Sequence, residues 1–214
     1  MILFTDMTGL SSSAIAMAGA VVILPGVARI PQAYRIALAS LVAGAALIPI
    51  SGPPLAAYLR GAIGDLSITS QLLLLMAILR PMYVWPLSGE LHAPSPSGGG
   101  LGWGNEGGKY TLLFLIALAA LGLYPMALGI SSFDPYRLGY GDPLFLGALL
   151  VVSVMAYFKQ LGLMALAIPL AVLAWSLGWS ESPNLWDYLL DPFLAVYAIG
   201  AVLKKGALAI PRRR

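Results

Sequence analysis

The feature that most constrains this chain is where its charges fall once its apolar runs are threaded back and forth through a bilayer. Ten of the twelve Lys/Arg residues then lie on one face and seven of the nine Asp/Glu on the other. Lys/Arg-rich ends stay on the cytoplasmic side, so this asymmetry constrains both the number of spans and their direction. Only 10% of the 214 residues are charged and 59% are hydrophobic. A soluble domain of this length carries roughly a quarter charged residues, which makes lipid the expected solvent for most of this surface.

The expected fold class is an all-α polytopic integral membrane protein with about seven transmembrane helices. A helix needs about 20 apolar residues to cross, and about 17 suffice. Candidate spans run over about 10–27, 36–50, 65–79 (continuing towards 85), 110–130, 143–158, 161–177 and 185–203. The count falls to six if the third is re-entrant. Residues 1–85 thus hold spans one to three, and 110–214 hold spans four to seven with a basic cytoplasmic tail. The breaker Ser51-Gly52-Pro53-Pro54 opens a short interfacial segment over 53–64. Placing the N-terminus outside and the C-terminus inside puts Arg29, Arg35, Arg80, Lys109, Lys159, Lys204, Lys205 and Arg212 to Arg214 within. The expected location is the bacterial inner membrane. The first apolar run has no basic residue ahead of it and no small-x-small cleavage site, so it is expected to stay as a helix rather than act as a signal peptide.

Composition also excludes function classes. With no cysteine and a single histidine, His92, the chain cannot build a thiolate or multi-His metal site or a haem site alone. The pI near 9.2 reflects basic residues scattered at span ends, not a nucleic-acid footprint. Neither GxGxxG nor GxxxxGK[ST] occurs, so no nucleotide is expected. HExxH and GxSxG are likewise missing. No cofactor and no metal are expected, and the chain leans away from being an enzyme.

Residues 86–109 read as a flexible Gly/Ser/Pro-rich cytoplasmic loop. Within it, Pro94 to Gly104 (PSPSGGGLGWG) resembles the translation of a bacterial interspersed repeat element that has run into a coding region. Glu90, His92 and Trp103 belong to this loop and are poor candidates for chemistry.

Charges near the bilayer midplane are the usual functional flag, and the spans contain essentially none. Their polar groups are Thr69, Ser70, Gln71, Tyr124 and Ser153. Polar residues gather instead at the outer face: Arg60 with Asp65, then Asp134 with Arg137, then Asp187 with Asp191. The four-residue spacing of Asp187 and Asp191 would put both on one face of a helix. Joined, these six residues would form an outward-facing site. Held apart, the carboxylates would serve as helix caps.

Three function classes fit this pattern. The first is an accessory or assembly subunit of a cell-envelope complex, its partners the lipid bilayer and other membrane subunits. The second is a small transporter or lipid-handling protein. The third is a membrane enzyme with an outward-facing Asp/Arg site. Topology is the most direct test: alkaline phosphatase fused after Ser132 is expected to be active and after Ser97 inactive. The opposite pattern overturns the orientation.

Overall fold

The computed structural model describes residues 4–79, 106–130 and 132–209. The described residues are all-helical, with no strand among them. Helices α1 (Phe4–Ile23), α2 (Gln32–Leu47), α3 (Leu55–Ile63) and α4 (Ile68–Leu79) form the first half. The second half holds α5 (Glu106–Ala127), α6 (Pro143–Phe158), α7 (Gly162–Ser176), α8 (Trp186–Leu189) and α9 (Pro192–Ala209). Most of the expected loop over 86–109, with Glu90, His92 and Trp103, lies outside the described residues.

Local chemistry explains the boundaries. Pro143 presets the first helical φ of α6, and Asp142 caps it by accepting from Leu144 N and Phe145 N. Ser67 Oγ does the same for α4, accepting from Ser70 N at 3.1 Å. The segment expected to be interfacial is helical as α3, which ends at Gly64 in a positive-φ conformation. The seventh expected span is divided. Leu190 is extended (φ −148°, ψ 149°), so Asp187 belongs to α8 and Asp191 precedes α9. The two carboxylates therefore do not share a helix face through their four-residue spacing. Pro192 suits this break, because it stands at the first position of α9, where its missing N–H costs nothing.

Two bundles meet at α4 and α7. Helix α1 packs against α2, α3 and α4, while α5 packs on α9 and α6 on α7. Helix α7 joins them by touching α4, α5, α6 and α8. Alanine dominates the packed positions, among them Ala14, Ala18, Ala120, Ala167, Ala171, Ala174 and Ala198. Large side chains such as Leu118, Leu121, Leu144, Leu150, Phe158 and Val196 point outward. Small residues inside let helix backbones approach closely.

Two helical stretches, Thr5–Ile23 and Lys109–Ala127, are long and apolar enough to cross a membrane. Four further apolar helices, α2, α4, α6 and α7, are shorter. Length and composition alone therefore give two candidate spans among the described residues, fewer than the seven read from the apolar runs. Helices α2, α4, α6 and α7, at 16, 12, 16 and 15 residues, are each shorter than the length that marks a span by itself.

One close approach fastens the loop between α5 and α6 to the loop between α7 and α8. Gly139 O accepts from Leu185 N at 2.8 Å, and a Cβ on Gly139 would overlap the amide of Asn184. Asn184 is fully buried and cannot swing away, because its Nδ2 donates to Tyr136 O and its Oδ1 accepts from Trp186 N. Gly139→Ala is expected to destabilise the detergent-solubilised protein by about 1–3 kcal/mol, read as a lowered unfolding midpoint.

Candidate functional site

One end of the bundle collects the polar residues of five elements. Arg60, near the end of α3, is its cation. Its Nε donates to Asp65 Oδ1 at 2.6 Å, its Nη1 to Asp6 Oδ1 at 3.2 Å and its Nη2 to Glu181 Oε1 at 2.8 Å. These bonds tie α3 to α1, to the α3–α4 loop and to the α7–α8 loop. Gly9 makes room on α1, where a Cβ would overlap the guanidinium. The hydrogen bond to Asp65 is the main cause of the raised pKa of Arg60, outweighing the opposing cost of burial. Arg60 is thus committed to neighbouring carboxylates.

Asp191 is 5% exposed and accepts four hydrogen bonds. Its Oδ1 takes Leu194 N at 2.9 Å, which caps α9. Its Oδ2 takes Ser67 N at 3.0 Å, Ser67 Oγ at 2.7 Å and Ser70 Oγ. One carboxylate therefore sits between the N-terminal ends of α4 and α9, where the partial positive charge of both helices favours it.

Asp187 has a different environment. Its Oδ2 accepts from Tyr136 OH at 2.7 Å and from Ser182 Oγ, and neither partner is a cation. Burial first, then the bond to Asp187, pushes the Tyr136 phenol well above its ordinary pKa. Tyr136 therefore stays a protonated donor at neutral pH. Burial likewise raises Tyr188, whose hydroxyl accepts from Ser180 N and donates towards Ser180 O and Ser182 O. The α7–α8 loop is closed around that ring.

An open cleft of about 430 Å³ lies among these groups. Asp65, Glu181, Asp187 and Asp191 line it with Tyr124, Tyr136, Ser180 and Ser182. Among the described residues, no Lys, Arg or His lines it. The local balance is one arginine against five carboxylates, counting Asp6.

Of the six candidate residues, Arg60, Asp65, Asp187 and Asp191 meet at this end of the bundle. Asp134 and Arg137 line no part of the cleft. Asp134 caps the 3-10 helix Pro135–Tyr140 through Tyr136 N, and Arg137 is exposed. Sequence reasoning missed Ser67, Ser182 and Tyr136 as carboxylate partners. The Ser67-x-x-Ser70 spacing ahead of α4 carried a readable cap signal. Nothing local linked Ser182 or Tyr136 to Asp187. Among the described residues, no group of three or more His, Cys, Asp or Glu side chains is arranged to hold a metal ion.

Asp191→Ala removes a cap and strands buried donors on α4. A loss of about 2–4 kcal/mol is expected, measured by chemical unfolding in detergent. A change below about 0.5 kcal/mol would mean that Asp191 does not join the helices. No family model, no curated protein and no solved structure matches this chain.

Proposed function

We propose that this chain is a multi-pass inner-membrane protein, N-terminus out and C-terminus in, that takes up a ligand bearing an amine at its outer end. It acts as a small transporter or lipid-handling protein. The membrane reading rests on the sided charges, on the two long apolar helices and on alanines facing inward while large apolar side chains face outward. Seven crossings correspond to α1, α2, α4, α5, α6, α7 and α9, with α3 and α8 lying at the outer boundary.

The observation that carries the ligand class is the cleft. Its volume of about 430 Å³ falls in the range of small-molecule sites. Among the described residues its lining offers carboxylates and phenols but no cation, so it would repel phosphate and attract an ammonium. Tyr124 and Tyr136 add ring faces and hydroxyls suited to an ammonium group. Arg60 does not reverse this preference, because three carboxylates already hold it.

A second reading, an accessory or assembly subunit of a cell-envelope complex, draws on a separate observation. Gly122 on α5, Gly147 on α6 and Gly200 and Gly206 on α9 have open space where a Cβ would stand. Such positions suit close approach by a partner helix.

Hexylamine and hexanol, titrated into purified protein and followed by tryptophan fluorescence, separate charge recognition from apolar binding. The amine is expected to bind about tenfold more tightly than the alcohol, with affinity falling as salt rises. Glu181→Gln and Tyr136→Phe should each erode that preference. Equal binding of amine and alcohol, or no binding of either, would remove the ligand reading.

A further inference from the structure

A second, much smaller cavity lies deeper than the cleft, between α1, α4 and the α7–α8 loop. Its volume is about 10 Å³, room for one water-sized occupant. Thr8, Ser12, Gln71 and Ser180 line it with Asp65 and Asp187. Ser12 is 2% exposed and its Oγ has no hydrogen-bond partner. A buried hydroxyl without a partner costs about 1–3 kcal/mol, so a polar occupant would offset that cost.

Charge decides which occupant. Two carboxylates line the cavity, and Arg60 already balances Asp65. Asp187 accepts only from neutral hydroxyls, both on Oδ2. Of the two carboxylates lining the cavity, Asp187 has no cation against it among the described residues. We infer that this cavity is a site for a single monovalent cation, sodium, held by Asp187 with the Ser12 hydroxyl and neighbouring oxygens. The hydroxyls of Ser12 and Ser180 and the side-chain amide of Gln71 supply oxygens in the lining beside the Asp187 carboxylate. Magnesium keeps several of its waters, for which a space of about 10 Å³ has no room.

The inference stands whether or not the cleft takes an amine. Asp65, Ser180 and Asp187 border both spaces, whereas Ser12 and Gln71 line only the inner one and Glu181 only the outer. Thermal unfolding of the purified full chain is followed as caesium chloride, whose cation is too large for the cavity and is no ammonium ligand for the cleft, is replaced by sodium chloride at constant total salt. The expected result is a saturable rise of about 5 °C. Ser12→Ala should unfold in caesium no lower than the parent, since it removes only an unpartnered hydroxyl, while weakening the sodium response at least several-fold. Glu181→Gln should leave that response intact even as amine binding falls. The same midpoint in caesium and sodium would show that the cavity holds a water only and would overturn the proposal. A sodium response unchanged in Ser12→Ala would overturn it equally.

Discussion

Asp191 holds together two helices that no loop of useful length connects. Its two oxygens take donors from the start of α4 and the start of α9, more than a hundred residues apart in sequence. Where alanines make up half of the buried apolar residues, apolar contact between helices is shallow and offers little orientation. Hydrogen bonds then set how the helix ends align. Arg60 performs a similar task on the neighbouring side by joining α3 to α1 and to both loops. The cleft exists because these two clusters hold their helices at fixed positions with a gap between them.

The two clusters also divide the carboxylates by role. Asp65 and Glu181 balance Arg60, and Asp191 is satisfied by backbone and hydroxyl donors. Asp187 alone faces both spaces while accepting only from hydroxyls. A residue's chemical freedom here follows from its partners and not from its exposure. Asp187 is half-buried like Asp65, yet only Asp65 has a cation against it.

Much of the helical order was legible in the sequence because apolar runs and their breakers are local signals. The sixth helix was readable over 143–158 because Asp142-Pro143 opens it and Lys159-Gln160 closes it. The likeness of Asp187 and Asp191, read as two positions on one helix face, was misleading. A single extended residue, Leu190, changes the relation between them, and only Pro192 hinted at it. The ion pair between Arg60 and Asp65 was foreseeable at five residues' separation. Its extension to Asp6 and Glu181 was not, because contacts across 54 and 121 residues depend on which helices pack together. Ser12 lay hidden for the same reason: within its own helix it resembles its neighbours Ser11 and Ser13.

The hairpin of α6 and α7 has a mechanical consequence for the membrane proposed here. Its helices have 16 and 15 residues, roughly 24 Å each at about 1.5 Å per residue, against a hydrocarbon core of about 30 Å. Lipid beside so short a pair must thin to meet it. That dimple would draw the headgroup layer inward along the flank of α7, so that an amphiphile diffusing in the outer leaflet could meet the carboxylates sideways, without first leaving for water.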